Sequence, residues 1–411
     1  MNAGAGRRDL VPPLLRDKVF RRYWGASTVS VFGDQVSSVA VPLTAVLVLH
    51  AGPVGMGYLT ALQWLPSLLF GLHAGAWVDR RGKRTTMIVA DLGRAAALAT
   101  IPVCYALHVL TLVQVYLVTF TVGALSVLFT VSDGTLFMSI VDPEEYVDGQ
   151  SLIYGSRALS FVGGPSLGGT LVQALSAPVA VAADALSFLG SAFFLGRIRP
   201  AEPPTDDGSG SVLAGARFIR RSALVRSSLI AVATINFFNL MFFALYLLYA
   251  VRVLHIRPGV VGVLLGVAAV GGLLGALVTK RIAALIGAGW AYTAGCLLFT
   301  APLVLWPLAH GPLPLVLAML FAAEFVSGFG VMVLDISIGA IFAAVIPDAV
   351  RSRVGGAFSA INYGTRPVGA LLGGLLGTEL GVRPALWIAV AGGVIGAALL
   401  VPSPLPRFRL P

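Results

Sequence analysis

Six ionisable residues stand where a chain this apolar can least accommodate them. Asp34, Asp133, Arg157, Glu324, Asp335 and Arg366 all fall inside long hydrophobic runs. A charged side chain at a bilayer centre costs about 2.5–3.5 kcal/mol on insertion scales, so such residues pair with one another or handle ions and polar solutes. Asp34 lies about ten residues into the first run, about 15 Å along a helix and close to the midplane. At that depth a carboxyl can bind and release a proton or a cationic solute, and Gln35 beside it adds a donor and an acceptor. The competing role for Asp34 is a fixed structural ion pair. Arg157 and Arg366 close two similar tetrapeptides, Tyr154-Gly-Ser-Arg157 and Tyr363-Gly-Thr-Arg366. Each buried guanidinium must find acids: Asp34 or Asp133 could serve Arg157, and Glu324 or Asp335 could serve Arg366. Glu324 and Asp335 are eleven residues apart, three helical turns, and so share one helix face. Two acids on such a face line water or solute, unless they only balance charge. Asn236 and Asn239, followed by Phe242, Phe243, Tyr246 and Tyr249, offer amides and an aromatic wall to a flat or lipophilic solute. The same rings would serve equally as packing. Asp91 and Arg94, three apart, can satisfy one another, and with Asp184 they read as structural. The sequence contains no nucleotide-binding loop, nucleophilic triad or metal-ligand spacing, and its five histidines are dispersed. No catalytic residue, cofactor or metal is expected.

The elements that would hold these residues are membrane-spanning helices. Of 411 residues, 57% are hydrophobic and only 11% charged, and the mean hydropathy is +0.90. That composition excludes a water-soluble domain of this length. Apolar runs of about 20 residues, each able to cross a bilayer, cover 24–50, 54–78, 85–107, 112–140, 151–175, 178–197, 228–251, 258–279, 289–309, 313–346, 354–380 and 382–402. The expectation is an all-α membrane protein with twelve transmembrane helices, the tenth long enough to be tilted or broken. With both termini inside, 22 of the 28 Lys and Arg face the cytoplasm, three face outward and three lie within spans. This bias fixes the orientation by the positive-inside rule. The net charge of +10 is therefore topological, and no nucleic-acid partner is expected. Cys104 and Cys296 fall within spans, which argues against a disulfide. The first span reads as a retained helix and not as a cleaved signal peptide. The excess of Arg over Lys, with abundant Ala and Gly, points to a GC-rich bacterial source.

The one long polar stretch, 198–227, divides the chain into 1–197 and 228–411, six spans each. Its first part is a Pro/Gly/Ser/acid linker. Its second places Val212, Leu213, Ala216, Phe218 and Ile219 among arginines, an amphipathic helix suited to the inner membrane surface. The halves repeat in parallel. Pro53 and Gly57 match Pro258 and Gly262, Pro143 matches Pro347, and the two Tyr-Gly-Ser/Thr-Arg segments match. Such repeats build carriers whose sites lie at the midplane between halves.

Between spans two and three lies Gly75-Ala-Trp-Val-Asp79-Arg80-Arg81-Gly82-Lys83-Arg84, echoed 200 positions later by Gly275, Ala276, Val278, Lys280 and Arg281. The segment resembles the loop signature of the major facilitator superfamily. Gly164-Pro165-Ser166-Leu167-Gly168-Gly169 resembles the span-five signature of its exporters. The opening Leu15-Arg-Asp-Lys-Val-Phe-Arg-Arg-Tyr-Trp with Phe32-Gly-Asp34-Gln35 is similar to the twelve-span drug-efflux branch, the tetracycline-, macrolide- and enterobactin-type exporters. The resemblance implies two pseudo-symmetric six-helix bundles around a midplane cavity. It implies that Asp79 meets the N-terminus of span eleven in the outward-facing state, with Arg80 and Lys83 bracing nearby acids. It places the glycines and Pro165 of span five at the seam between halves, where bare helix surface permits close approach. One departure is that span four lacks the arginine many proton-coupled exporters carry there; its only charge is Asp133, so coupling would run through Asp34 with Arg157. The function expected is export of a small hydrophobic or amphipathic compound, antibiotic-like, by proton antiport from a monomer in the cytoplasmic membrane. The alternative is an importer or flippase-type carrier for a nutrient, siderophore or lysolipid. A receptor or scaffold without flux would have little need for the buried charges.

Overall fold

The computed structural model describes residues 13–71, 73, 78, 81–199 and 212–409. Gly75, Asp79 and Arg80 of the loop signature lie outside the described residues. The described chain is all-helical. The first half comprises α1 (Lys18–Leu43, extended by a wider π-helical turn over Thr44–Val48), α2 (Pro53–Phe70), α3 (Lys83–Ala106), α4 (Leu112–Ile140), α5 (Tyr146–Ala174) and α6 (Ala177–Gly196). A short α7 (Val212–Arg221) leads to α8 (Ala223–Arg252), α9 (Pro258–Ile286), α10 (Ala288–Thr300, carried on through a 3-10 turn to Leu308), α11 (Leu313–Val345), α12 (Asp348–Glu379) and α13 (Val382–Ala398).

Several helices begin about five residues before their apolar runs, α1 at Lys18, α5 at Tyr146, α8 at Ala223 and α12 at Asp348. Hydropathy registers only the lipid-buried length, whereas a helix continues until something caps it. Asp17 accepts from the amides of Val19 and Phe20, and Ser222 accepts from that of Val225, each satisfying free N–H groups of a first turn. Two cations close the other end of α6. Arg22 donates to the Arg197 carbonyl at 2.7 Å. Arg84 donates to those of Leu195 and Gly196 at 2.8 and 2.7 Å. Positive charge at a helix C-terminus is where the dipole favours it.

Against the twelve expected spans, eight helices among the described residues are long and apolar enough to cross a membrane. The long helices missing from that set are α2, α5, α12 and the 17-residue α13. Three of these four, α2, α5 and α12, contact the other half of the protein and carry prolines and glycines that lower their hydropathy. Span ten is neither broken nor short: α11 is one helix of 33 residues, about 50 Å by helical rise and longer than a hydrocarbon core. The break comes in span nine, at Ala301–Val304 around Pro302, where proline removes a backbone donor; the prolines inside α1, α2, α3, α5 and α12 are accommodated without a break.

Within the first half α1 lies between α5 and α6, and α4 between α2 and α3; α8 and α11 take the same places in the second half. The halves meet along α2–α12 and α5–α9. Both seams use the same contact. Gly57 faces Gly374 and the Ala370 carbonyl, while Gly262 faces Gly169 and the Pro165 carbonyl; a Cβ on Gly374 would stand 2.8 Å from the Pro53 carbonyl oxygen, and one on Gly169 would meet that of Pro258. Close backbone approach of this kind is open only to glycine. The seams lie at the ends away from the basic face. At the basic ends Gly134, Gly155, Gly339, Gly355 and Gly356 have no neighbouring atom where a Cβ would stand.

The amphipathic α7 has protein on one side. It packs on α12 and α8, with Ile219 buried against Val225, Leu229, Val354 and Ala357. A side chain at Gly215 would collide with the Arg353 carbonyl. Of its apolar residues Ile219 is covered by protein and Phe218 partly so, while Ala216 is exposed.

Candidate substrate cavity and charge clusters

In the first half, Asp133 of α4 is the acid that meets Arg157. The Arg157 Nη2 to Asp133 Oδ2 distance is 3.2 Å, and the other carboxylate oxygen accepts from the Tyr23 hydroxyl at 2.7 Å. Arg157 keeps 37% of its side chain exposed against 11% for Asp133, so the pair is anchored on one side and open on the other.

The equivalent arginine of the second half is held differently. Arg366 lies 4.1 Å above the ring of Trp64, on α2 of the first half, and 4.6 Å from that of Tyr363. The two rings stack 6.1 Å apart at 21°. No carboxylate reaches ion-pair distance of Arg366 among the described residues, and its Nε is buried without a partner. Asp335 acts on it electrostatically from an exposed position on α11. Glu324, three turns earlier on that helix, is buried. It accepts from the Trp306 indole N–H at 3.0 Å, beside Phe242 and Tyr246, which pack edge-on against Trp306. Glu324 and Asp335 thus share a helix face but not surroundings: eleven residues turn a helix by only about 20° beyond three turns, yet Glu324 is covered by the Trp306 cluster while Asp335 is exposed.

Asn236 donates to Asn362 at 2.9 Å and to the Val232 carbonyl at 3.0 Å, joining α8 to α12 beside Tyr363. Asn239 is buried, its amide nitrogen unpartnered, against a small void lined by Phe242, Thr300 and Val390. Gln35 packs where α5 is bare, since a Cβ on Gly164 would collide with it, and Gly168 lies on the Val36 backbone. Pro165 faces Gly262 at the seam. Gly82 caps α3, and Lys83 is buried in its first turn. Asp34 is half-buried on α1; it stands with Asp91, Arg94 and Asp184, apart from the Arg157 pair. The structure therefore adds Tyr23, Trp64 and Asn362 to the residues read from sequence, and brings Asp184, read there as structural, next to Asp34. Only Tyr23 had a visible cue, in the basic-aromatic opening.

Residues 10–410 match the protein family described as transmembrane secretion effector, MFS_3. The chain belongs to this family of major facilitator superfamily transporters. It is a multi-pass membrane carrier and not an enzyme. An uncharacterized MFS-type transporter of Bacillus subtilis (strain 168) is 27% identical over 401 residues, 92% of this chain and 91% of that one. A bacterial homologue of the iron transporter ferroportin, in an inward-facing state, superposes with a TM-score of 0.76 at 16% identity, covering 95% of this chain and 99% of its own. A nucleoside transporter gives 0.73 at 12% identity, covering 93% and 98%. A bacterial homologue of the lysosomal transporter Spinster, inward-facing and occupied, gives 0.74 at 14%, covering 95% and 97%. At these identities the likeness is one of fold. The relatives do not single out the drug-efflux branch.

Proposed function

We propose that all twelve long helices cross the membrane as two six-helix bundles, and that the protein is a proton-linked, alternating-access carrier for a small amphipathic solute bearing an anionic group. Nutrients, siderophores and lysolipids fall in this class. With the basic face in the cytoplasm, the state described here is inward-facing. The observation that carries the reading is Arg366: a guanidinium where the two halves meet, flanked by Trp64 and Tyr363, without a carboxylate in ion-pair contact among the described residues. Arginine pairs bidentately with carboxylate or phosphate, and aromatic rings take the apolar part of such a solute. The diverse cargo of the structurally similar transporters, iron and nucleosides among them, supports a carrier of metabolites over one specialised for drugs. The second reading, export of a hydrophobic antibiotic-like compound, draws on the Gly164–Gly169 seam and on the family's description as secretion effectors.

Trp64 supplies a direct readout. Lysophosphatidylglycerol added to purified protein should change the tryptophan fluorescence, with Trp64→Phe identifying the responding ring. In Arg366→Gln the half-maximal concentration should rise at least tenfold, since hydrogen bonds to a charged group contribute about 1.5–3 kcal/mol. A response to tetracycline or a macrolide, indifferent to Arg366→Gln and absent with the lysolipid, would favour the exporter. For coupling, Asp34→Asn in vesicles should abolish uphill movement while leaving insertion and downhill exchange intact. Undiminished uphill movement in that variant would remove Asp34 from the coupling path.

A further inference from the structure

Asp184, read from the sequence as structural, belongs with Asp34. On α6 it lies directly against α1: a Cβ on Gly33 would collide with Asp184 Oδ1 and Ser187 Oγ. The carboxylate thus rests on the turn of α1 that carries Asp34, and Asp34 is the charged group that acts most strongly on it. On the other side α3 supplies Asp91 and Arg94, joined in a buried ion pair. Arg94 is clamped between Phe129 and Phe188, 4.4 and 4.0 Å from their ring centroids, and also reaches Ser126 Oγ at 3.3 Å. Asp184 is 1% exposed. Its Oδ1 accepts from Ser187 at 3.0 Å, whereas its Oδ2 is buried with no partner. Ser37 neighbours Asp184, and Ser191 neighbours Asp91, but neither hydroxyl attains hydrogen-bond geometry.

Charge counting decides what this cluster can hold. Three carboxyls face one guanidinium, and the next charges outward, Asp133 of α4 and Arg157 of α5, are committed to each other. Arg94 cancels Asp91. Its field also reaches Asp34 and Asp184, but one guanidinium cannot balance three carboxylates, and two carboxylates sharing a site cannot both stay ionised. A single shared proton removes the repulsion and gives the bare Asp184 Oδ2 a hydrogen-bond donor. No arrangement of three His, Cys, Asp or Glu suited to a metal ion occurs among the described residues.

We infer that Asp34 and Asp184 form one proton-carrying site between α1 and α6, with the Asp91–Arg94 pair as its fixed charged wall. Its part in transport rests on the proton-linked reading above; its existence does not. α1 also packs on α5, whose glycines form a seam. Loss of the proton would press α1 and α6 apart and strain that seam, which gives the proton a mechanical route to the conformational switch.

The test needs no solute. Purified protein in lipid vesicles is stepped in pH and followed by infrared difference spectroscopy. Wild type should show the carbonyl stretch of a protonated carboxyl that titrates as one event. Asp184→Asn and Asp34→Asn should each remove that event, because either substitution deletes the like charge that the proton neutralises. Gel filtration and thermal unfolding check that each variant is folded, and one folded variant is enough to decide the question. A carboxyl signal unchanged in a folded variant overturns the site. So does stabilisation by sodium without any carboxyl signal, which would make the occupant a metal cation. A signal lost in the variants, in a protein whose solute movement never displaces protons, keeps the site and rejects the coupling.

Discussion

Gly169→Val and Gly374→Val will each shift the protein away from the state described here and toward one open on the opposite face. Each glycine lies against a backbone carbonyl of the other half, that of Pro258 for Gly169 and that of Pro53 for Gly374. Neither carbonyl is a flexible side chain that could swing aside. Overpacking costs about 1–3 kcal/mol in a well-packed interior, and here the strain can be released by parting the seam. An equilibrium displaced by that energy moves about 5- to 150-fold. Spin labels at Val109 and Leu313, both exposed at the closed face, report the change by electron-electron distance measurement once Cys104 and Cys296 are replaced by serine. The distribution should lengthen in either variant. An unchanged distribution would mean that glycine at the seam serves packing density alone and does not hold the closed face shut.

Arg94→Met should be among the most damaging single substitutions in the first half. It leaves Asp91, fully buried beside Asp34 and Asp184, with no cation in reach. Removing one partner of a buried ion pair costs about 3–5 kcal/mol, whereas replacing both by apolar groups is often neutral. The double variant Arg94→Met/Asp91→Leu should therefore recover most of the thermal midpoint lost in the single one. Equal midpoints for the single and double variants would show that Arg94 stabilises the fold through its stacking on Phe129 and Phe188 and not through charge. The comparison is a coupling measurement, which is why it discriminates where the single substitution cannot.

Much of the helical arrangement was legible because apolar runs, cation bias and the internal repeat each report a one-dimensional property. What escaped is three-dimensional. Hydropathy places Asp34 and Asp184 in separate spans 150 residues apart, and nothing along the chain says that Gly33 lets them share a site. Arg157 and Arg366 match in sequence, yet one pairs with Asp133 and the other stacks on Trp64, because the partner of Arg366 comes from the opposite half. Glu324 and Asp335 fit one helix face at eleven-residue spacing, but neighbours decide which flank of α11 is covered. The amphipathic pattern of α7 marks a helix with one apolar face; pattern alone does not say whether lipid or protein covers it.

The cations near the ends of the first-half helices have a second employment. Arg22 and Arg84, two of the residues whose sidedness sets the orientation, commit their donors to the last carbonyls of α6. The signal read during insertion and the cap that finishes a helix are thus the same atoms. Charge-swapping at these positions to invert the protein would also fray α6, so an orientation assay would register misfolding as misrouting. Lysine would preserve the insertion signal but not Arg84's two-pronged grip, and in that substitution the two roles come apart.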